Sequence, residues 1–125
     1  MQVTHWLLLA AAGGMGAGLR ALAVLWFTDR RGAPVWKTLL GVNLLGSALA
    51  GVLISRLVSG VEPATIEIAL TGFLGGFTTF SGFAVECVEL WQRGQRRLSV
   101  RFALLSVLLS ALVAHLAYMA SGGPA

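Results

Sequence analysis

Charge is what this chain has least of. Only 11% of its 125 residues are charged, and just five are Asp or Glu, where a soluble domain carries about a quarter. One cysteine, Cys87, excludes an intrachain disulfide and reads as a packed, unreactive thiol. No metal cluster, phosphate loop or nucleophile–base set is visible, so the chain does not read as an enzyme. The nine Lys and Arg sit mostly in short loops without interleaved aromatics to stack bases, which argues against nucleic-acid binding. The first apolar run lacks a basic leader and is too long for a signal-peptide core, so it reads as a retained span.

What the chain has in excess is apolar sequence, 57% of the total. Four spans of roughly 20 residues use most of its length, leaving one membrane domain over residues 1–125. The spans are predicted at Trp6–Phe27, Val35–Leu57, Ile66–Trp91 and Leu98–Ala120. Trp6, Trp26, Trp36 and Trp91 all fall at span ends, the headgroup position expected of amphipathic rings. Gly14 and Gly18 form a GxxxG pair in span one. Gly46, Ser47, Ala50 and Gly51 form small-xxx-small pairs in span two, and such faces let helices approach closely. So small a bundle encloses little interior, and a pathway through it calls for more than one copy.

Several residues within the spans bear chemistry. Gly72, Gly75, Gly76, Thr78 and Thr79 straddle the middle of span three. They are poor material for a continuous helix, and carbonyls freed by a break suit a small dehydrated cation. The alternative is a glycine-rich packing face on an unbroken helix. Phe80 and Phe83 share a helical face, where positive ring edges can solvate an anion or simply pack. Asn43 needs a partner in mid-span; its amide offers donors to an anion or bonds another helix. Arg20 either snorkels or lends a vestibule a positive field. Ser106 and Ser110 share a stripe of span four with Phe102, and such serines often bond back to their own helix. Glu86 reads as a solvated or interfacial end-of-span charge. His5 and His115 have no partner motif and read as interfacial and packed, respectively.

The run Gly72-Phe73-Leu74-Gly75-Gly76-Phe77-Thr78-Thr79-Phe80-Ser81-Gly82-Phe83-Ala84-Val85-Glu86 resembles the signature of the small CrcB/Fluc fluoride channels, roughly G-F-L-G-G-x-T-T-F-S-T-F-S-x-E. Gly13-Gly14-Met15-Gly16-Ala17-Gly18-Leu19-Arg20 is similar to that family's G-G-x-x-G-A-x-x-R. Thr38-Leu39 and Val42-Asn43 are similar to its G-T-L-x-V-N-x-x-G. The resemblance implies an all-α membrane protein of four transmembrane helices, the third broken near the midplane, paired as an antiparallel dual-topology dimer. It implies passive export of cytoplasmic fluoride across the inner (plasma) membrane. It assigns Asn43, Phe80, Phe83, Ser81, Ser106 and Ser110 to the anion pore and Arg20 and Glu86 to its vestibule. Carbonyls of Gly75 and Thr78 from both subunits would hold a structural Na+. The chain departs from the pattern at Gly82 and Ala84, where the family commonly carries Thr and Ser, so its polar track is thinner.

Two rival readings accompany this one. A small proton-coupled multidrug exporter has similar size but needs an ionisable carboxylate inside the bundle, and span one has none. A non-conducting scaffold subunit is compatible with Gly82 and Ala84. Charge distribution bears on assembly. Arg30, Arg31, Lys37, Arg93, Arg96, Arg97 and Arg101 flank loops one and three, whereas only Arg56 flanks the opposite side. This seven-to-one bias predicts one dominant orientation with both termini outside. It calls for a heterodimer with an inverted homologous partner, or a homodimer that depends on forced mixed insertion.

Overall fold

The computed structural model describes residues 2–124 and is helical throughout its ordered elements. Helix α1 (Val3–Leu25) runs on through a π-helical turn (Trp26–Arg30). Helix α2 spans Val35–Val58. The third span starts as α3 (Pro63–Glu67), widens into a π-helical stretch (Ile68–Leu74) and tightens again in α4 (Gly75–Phe77). Helix α5 (Phe80–Gln92) completes it, and α6 (Arg96–Ala120) is the fourth span. Among the described residues, four helical segments are long and apolar enough to cross a bilayer: Val3–Arg30, Val35–Val58, Pro63–Gln92 and Arg96–Ala120. The protein is a multi-pass membrane protein, and the predicted spans fall inside these segments.

Local chemistry sets the ends. Glu62 caps α3, its carboxylate accepting from Thr65 N–H at 2.9 Å, with Pro63 opening the helix. Gly60 (φ 91°) and Gly94 (φ 79°) take left-handed conformations just past α2 and α5. Around them Val61 N–H reaches Arg56 O and Gln95 N–H reaches Leu90 O, which closes the helix ends with their last carbonyls satisfied.

Two apolar clusters hold the bundle together. Leu39, Leu90 and Phe102 pack with Val24, Trp36 and Leu98, placing loops one and three at the same end. Val42, Leu74 and Phe77 form the second cluster. Lipid is as apolar as a leucine side chain, so close approach rather than water exclusion drives the helices together. Glycine supplies that approach. A Cβ on Gly51 would collide with the backbone of Ala114, and one on Gly46 with the Thr78 methyl, as the span-two pattern predicts.

In span one the packing face differs from the predicted one. Gly14 and Gly18 look outward with nothing near their Cβ positions, while Gly16 is buried against the Phe73 carbonyl and Gly76 sits against the Gly13 carbonyl. The GxxxG spacing is real, but the helix turns its neighbouring glycines inward. His115 is exposed on α6 rather than packed. His5 does find a partner: its Nε2 lies 3.2 Å from Glu67 Oε2, at ion-pair distance though not aligned as a hydrogen bond, and joins α1 to α3.

Candidate functional site

Between α4 and α5 the chain leaves helical geometry for two residues. Thr78 (φ −79°, ψ 160°) and Thr79 (φ −147°, ψ 116°) are extended. Backbone groups released this way must be re-paired or face a cavity when water is absent, and three side chains do the re-pairing. Asn43 on α2 grips Thr79 at both poles, its Oδ1 accepting from Thr79 N–H at 3.1 Å and its Nδ2 donating to Thr79 O at 3.4 Å. Thr79 Oγ1 caps α5 by accepting from Gly82 N–H at 2.9 Å. Arg20 on α1 donates from Nε to Gly76 O at 3.2 Å.

The break leaves carbonyls of α4 without their helical donors. In an unbroken helix Thr79 N–H would serve Gly75 O, and Gly82 N–H would serve Thr78 O. Both donors are diverted to side chains. The N–H groups of Phe80 and Ser81 open α5 in the same way, so the carbonyls of Gly75, Gly76, Phe77 and Thr78 all lose their usual donors. Arg20 takes the one on Gly76, and Gly75 and Thr78, the pair implied as cation ligands, are among the rest. Gly75 is exposed, and the nearest atom to its Cβ position is 4.0 Å away. Neutral carbonyl dipoles fit a monovalent ion better than a divalent one.

A groove of about 400 Å³ opens beside this break, lined by Asn43, Gly46, Ser47, Ala50, Leu70, Leu74, Gly75, Thr78, Thr79, Phe80, Phe83, Ser106, Val107 and Ser110. It brings together five of the six residues assigned to the anion pore and both assigned to the cation. Ser81 lies just outside, exposed, its Oγ 3.3 Å from Thr79 Oγ1. Phe80 and Phe83 sit with centroids 5.7 Å apart and planes tilted 44°. Phe83 in turn meets Phe102 at 5.4 Å and 51°, while Phe80 is 81% exposed. One ring is anchored in the core and the other stands uncovered. Ser106 is 6% exposed, yet its hydroxyl has no hydrogen-bond partner. It does not bond back to its own helix, and a buried orphan hydroxyl costs about 1–3 kcal/mol.

The vestibule residues lie elsewhere. Half-buried Arg20 reaches the break from the α1 side and does not line the groove. Glu86 is 6% exposed, so it is not a solvated span end. At Gly82 a Cβ would press within 2.9 Å of the Thr79 methyl carbon: the space beside that residue is already filled by Thr79. Ala84 is half-buried, and its small side chain brings no hydroxyl to the groove.

Sequence reasoning missed Thr79 as an organiser, although Thr three residues before Gly82, after a glycine-rich run, is an N-cap signal. It also missed Ser47, whose role in the groove has no local sequence signature.

The chain matches the family model described as CrcB-like protein, Camphor Resistance (CrcB), over residues 7–118. A protein of Rhizobium meliloti (strain 1021) named "Fluoride-specific ion channel FluC" is 39% identical over 113 residues, covering 88% of this chain and 90% of the relative. A Bordetella petrii protein of the same name is 41% identical over 120 residues, 94% of this chain and 88% of the relative. Another, from Gloeobacter violaceus, is 36% identical over 123 residues, 96% and 98% respectively. With the match running from the first span to the end of the fourth, this chain belongs to the CrcB-like family.

Proposed function

We propose that this protein is a fluoride-selective channel subunit that exports cytoplasmic fluoride passively, through pores at the interface of an antiparallel dimer in the plasma membrane. One observation carries the reading: Asn43, Phe80, Phe83, Ser106 and Ser110 line one groove that is open along its side. Such a groove becomes a closed pathway only when a second subunit covers it. Relatives bearing the fluoride-channel name over nearly their whole length support the choice of ion.

The lining suits fluoride physically. Dehydrating so small an anion is costly, and a full positive charge would hold it too tightly to pass. Partial charges serve instead: ring edges of Phe80 and Phe83, the remaining N–H of Asn43, and the orphan hydroxyl of Ser106. In a dimer the break at Thr78–Thr79 would lie near the membrane midplane on the two-fold axis. There the open carbonyls of Gly75 and Thr78 would hold a structural Na+, which ties the broken spans together. Membership of the CrcB-like family leaves the multidrug exporter without support, and a scaffold role is separated from a channel by transport alone.

Replacing Cys87 by Ala and Ser110 by Cys places one thiol in the groove. Fluoride flux through that variant is expected to fall after treatment with a bulky thiol reagent. Undiminished flux after complete labelling would take the groove out of the pathway.

A further inference from the structure

A second groove, of about 340 Å³, lies between the end of α1 and the start of α2, away from the one just described. Its walls are Ala23 and Phe27 on one side and Gly41, Val42 and Leu45 on the other, with Lys37 at its mouth. Thr38 also lines it; this residue is 8% exposed, and its hydroxyl has no hydrogen-bond partner. The proposed pathway uses none of these side chains.

We propose that this groove binds one anionic phospholipid, with an acyl chain along α2 and the phosphate against Lys37. Two features select that occupant. The first is depth: from Lys37 to Leu45 the helix rises about 12 Å, close to the roughly 15 Å hydrocarbon depth of one leaflet. The second is charge. Lys37 lines the groove, and exposed Arg30 and Arg31 lie in the loop that joins α1 to α2, where Asp29 is the single acid. Arg31 and Lys37 rest over Trp26 and Trp36, at 4.6 and 5.5 Å, a pairing that sets this end at headgroup level. Basic pockets between membrane helices take acidic headgroups for the same reason, and Lys37 can extend its ammonium towards the interface while its stem stays apolar.

Gly41 supplies the test, because it lines the groove and nothing lies within 4 Å of its Cβ position, so Gly41→Leu starts a bulky side chain in open space. The full-length chain in detergent is titrated with phosphatidylglycerol or phosphatidylcholine, and retained lipid is counted by native mass spectrometry. The wild type is expected to retain about fivefold more phosphatidylglycerol than phosphatidylcholine, the effect of roughly one well-placed basic residue. Gly41→Leu should lose that retention. Lys37→Gln, an exposed change that does not threaten folding, should bring the two lipids to near parity. Equal retention of both lipids by the wild type, or an unchanged preference in Lys37→Gln, overturns the proposal. So does a folded Gly41→Leu that keeps its lipid while losing its dimer, which would give the groove to a partner helix.

Discussion

At the scale of single residues, the pairing of Asn43 with Thr79 joins structure to pathway. Asn43 was open to two readings in the sequence, an anion donor or a helix–helix bond. The structure spends one N–H and the carbonyl oxygen on Thr79 and leaves one N–H for the groove. Thr79 is 7% exposed, so Asn43→Leu strands a buried N–H, and a stability loss of about 1–3 kcal/mol is expected in a detergent melt. The two phenylalanines should separate cleanly. Phe80→Ile removes an uncovered ring and should leave the melting temperature near the wild type. Phe83→Ile gives up the ring contact with Phe102 and should cost about 0.5–1.5 kcal/mol. Both are expected to reduce fluoride efflux severely, because Ile keeps the bulk and loses the positive ring edge; undiminished efflux in both would remove aromatic solvation from the account. Motif spacing pointed to these phenylalanines. It did not show that Phe83 is anchored and Phe80 bare, because Phe102 comes from another span.

At the scale of elements, the spans were legible and their rotation was not. Twenty apolar residues bounded by charge define a span whatever it packs against, so all four were placed to within a few residues. Which glycines face inward depends on how α1 is turned about its axis. Gly13, Gly14, Gly16 and Gly18 lie so close together that spacing alone does not choose a face. The structure separates them in a testable way. Gly16→Ala pushes a methyl into the Phe73 carbonyl and should destabilise the fold by about 1–3 kcal/mol. Gly14→Ala and Gly18→Ala meet open space and should be neutral or stabilising by up to about 1 kcal/mol, as Ala is the better helix former. Comparable losses at all three positions would contradict the packing. The third span carries two further predictions. If Gly75 and Thr78 hold Na+, thermal stability should rise with the logarithm of Na+ concentration, and equal stability in a large organic cation at matched ionic strength would count against the site. At its N-terminal end, the backbone N–H of Thr65 holds the Glu62 carboxyl below the usual glutamate range. A lowered pKa contributes stability above the unfolded value that is lost as pH falls through the folded one. Amide exchange at Thr65 should therefore accelerate, relative to the intrinsic rate, only below the ordinary glutamate range, and Glu62→Gln should abolish that pH dependence.

At the scale of the whole molecule, the exposed surface is that of a part. Only 6% of the first span's most apolar window and 11% of the fourth's are buried within the chain, and the candidate pathway is open along its side. Bilayer covers much of this surface, and in the proposed assembly an inverted subunit covers the groove. Loops one and three share one end of the bundle, so their seven basic residues against one favour a single orientation in cells with both termini outside. Labelling of engineered cysteines in loop three and near the C-terminus of intact cells should then mark only the C-terminal site. Equal labelling of both would show that one chain inserts both ways and needs no second homologue. The fluoride reading has the most direct test. Detergent-purified chain, whose orientations mix freely before reconstitution, is placed in liposomes loaded with fluoride and chloride under a potassium gradient. Rapid release of fluoride with chloride retained is expected, and its loss in the Phe80→Ile, Phe83→Ile double variant. A folded chain whose liposomes hold fluoride as well as empty ones do would contradict it.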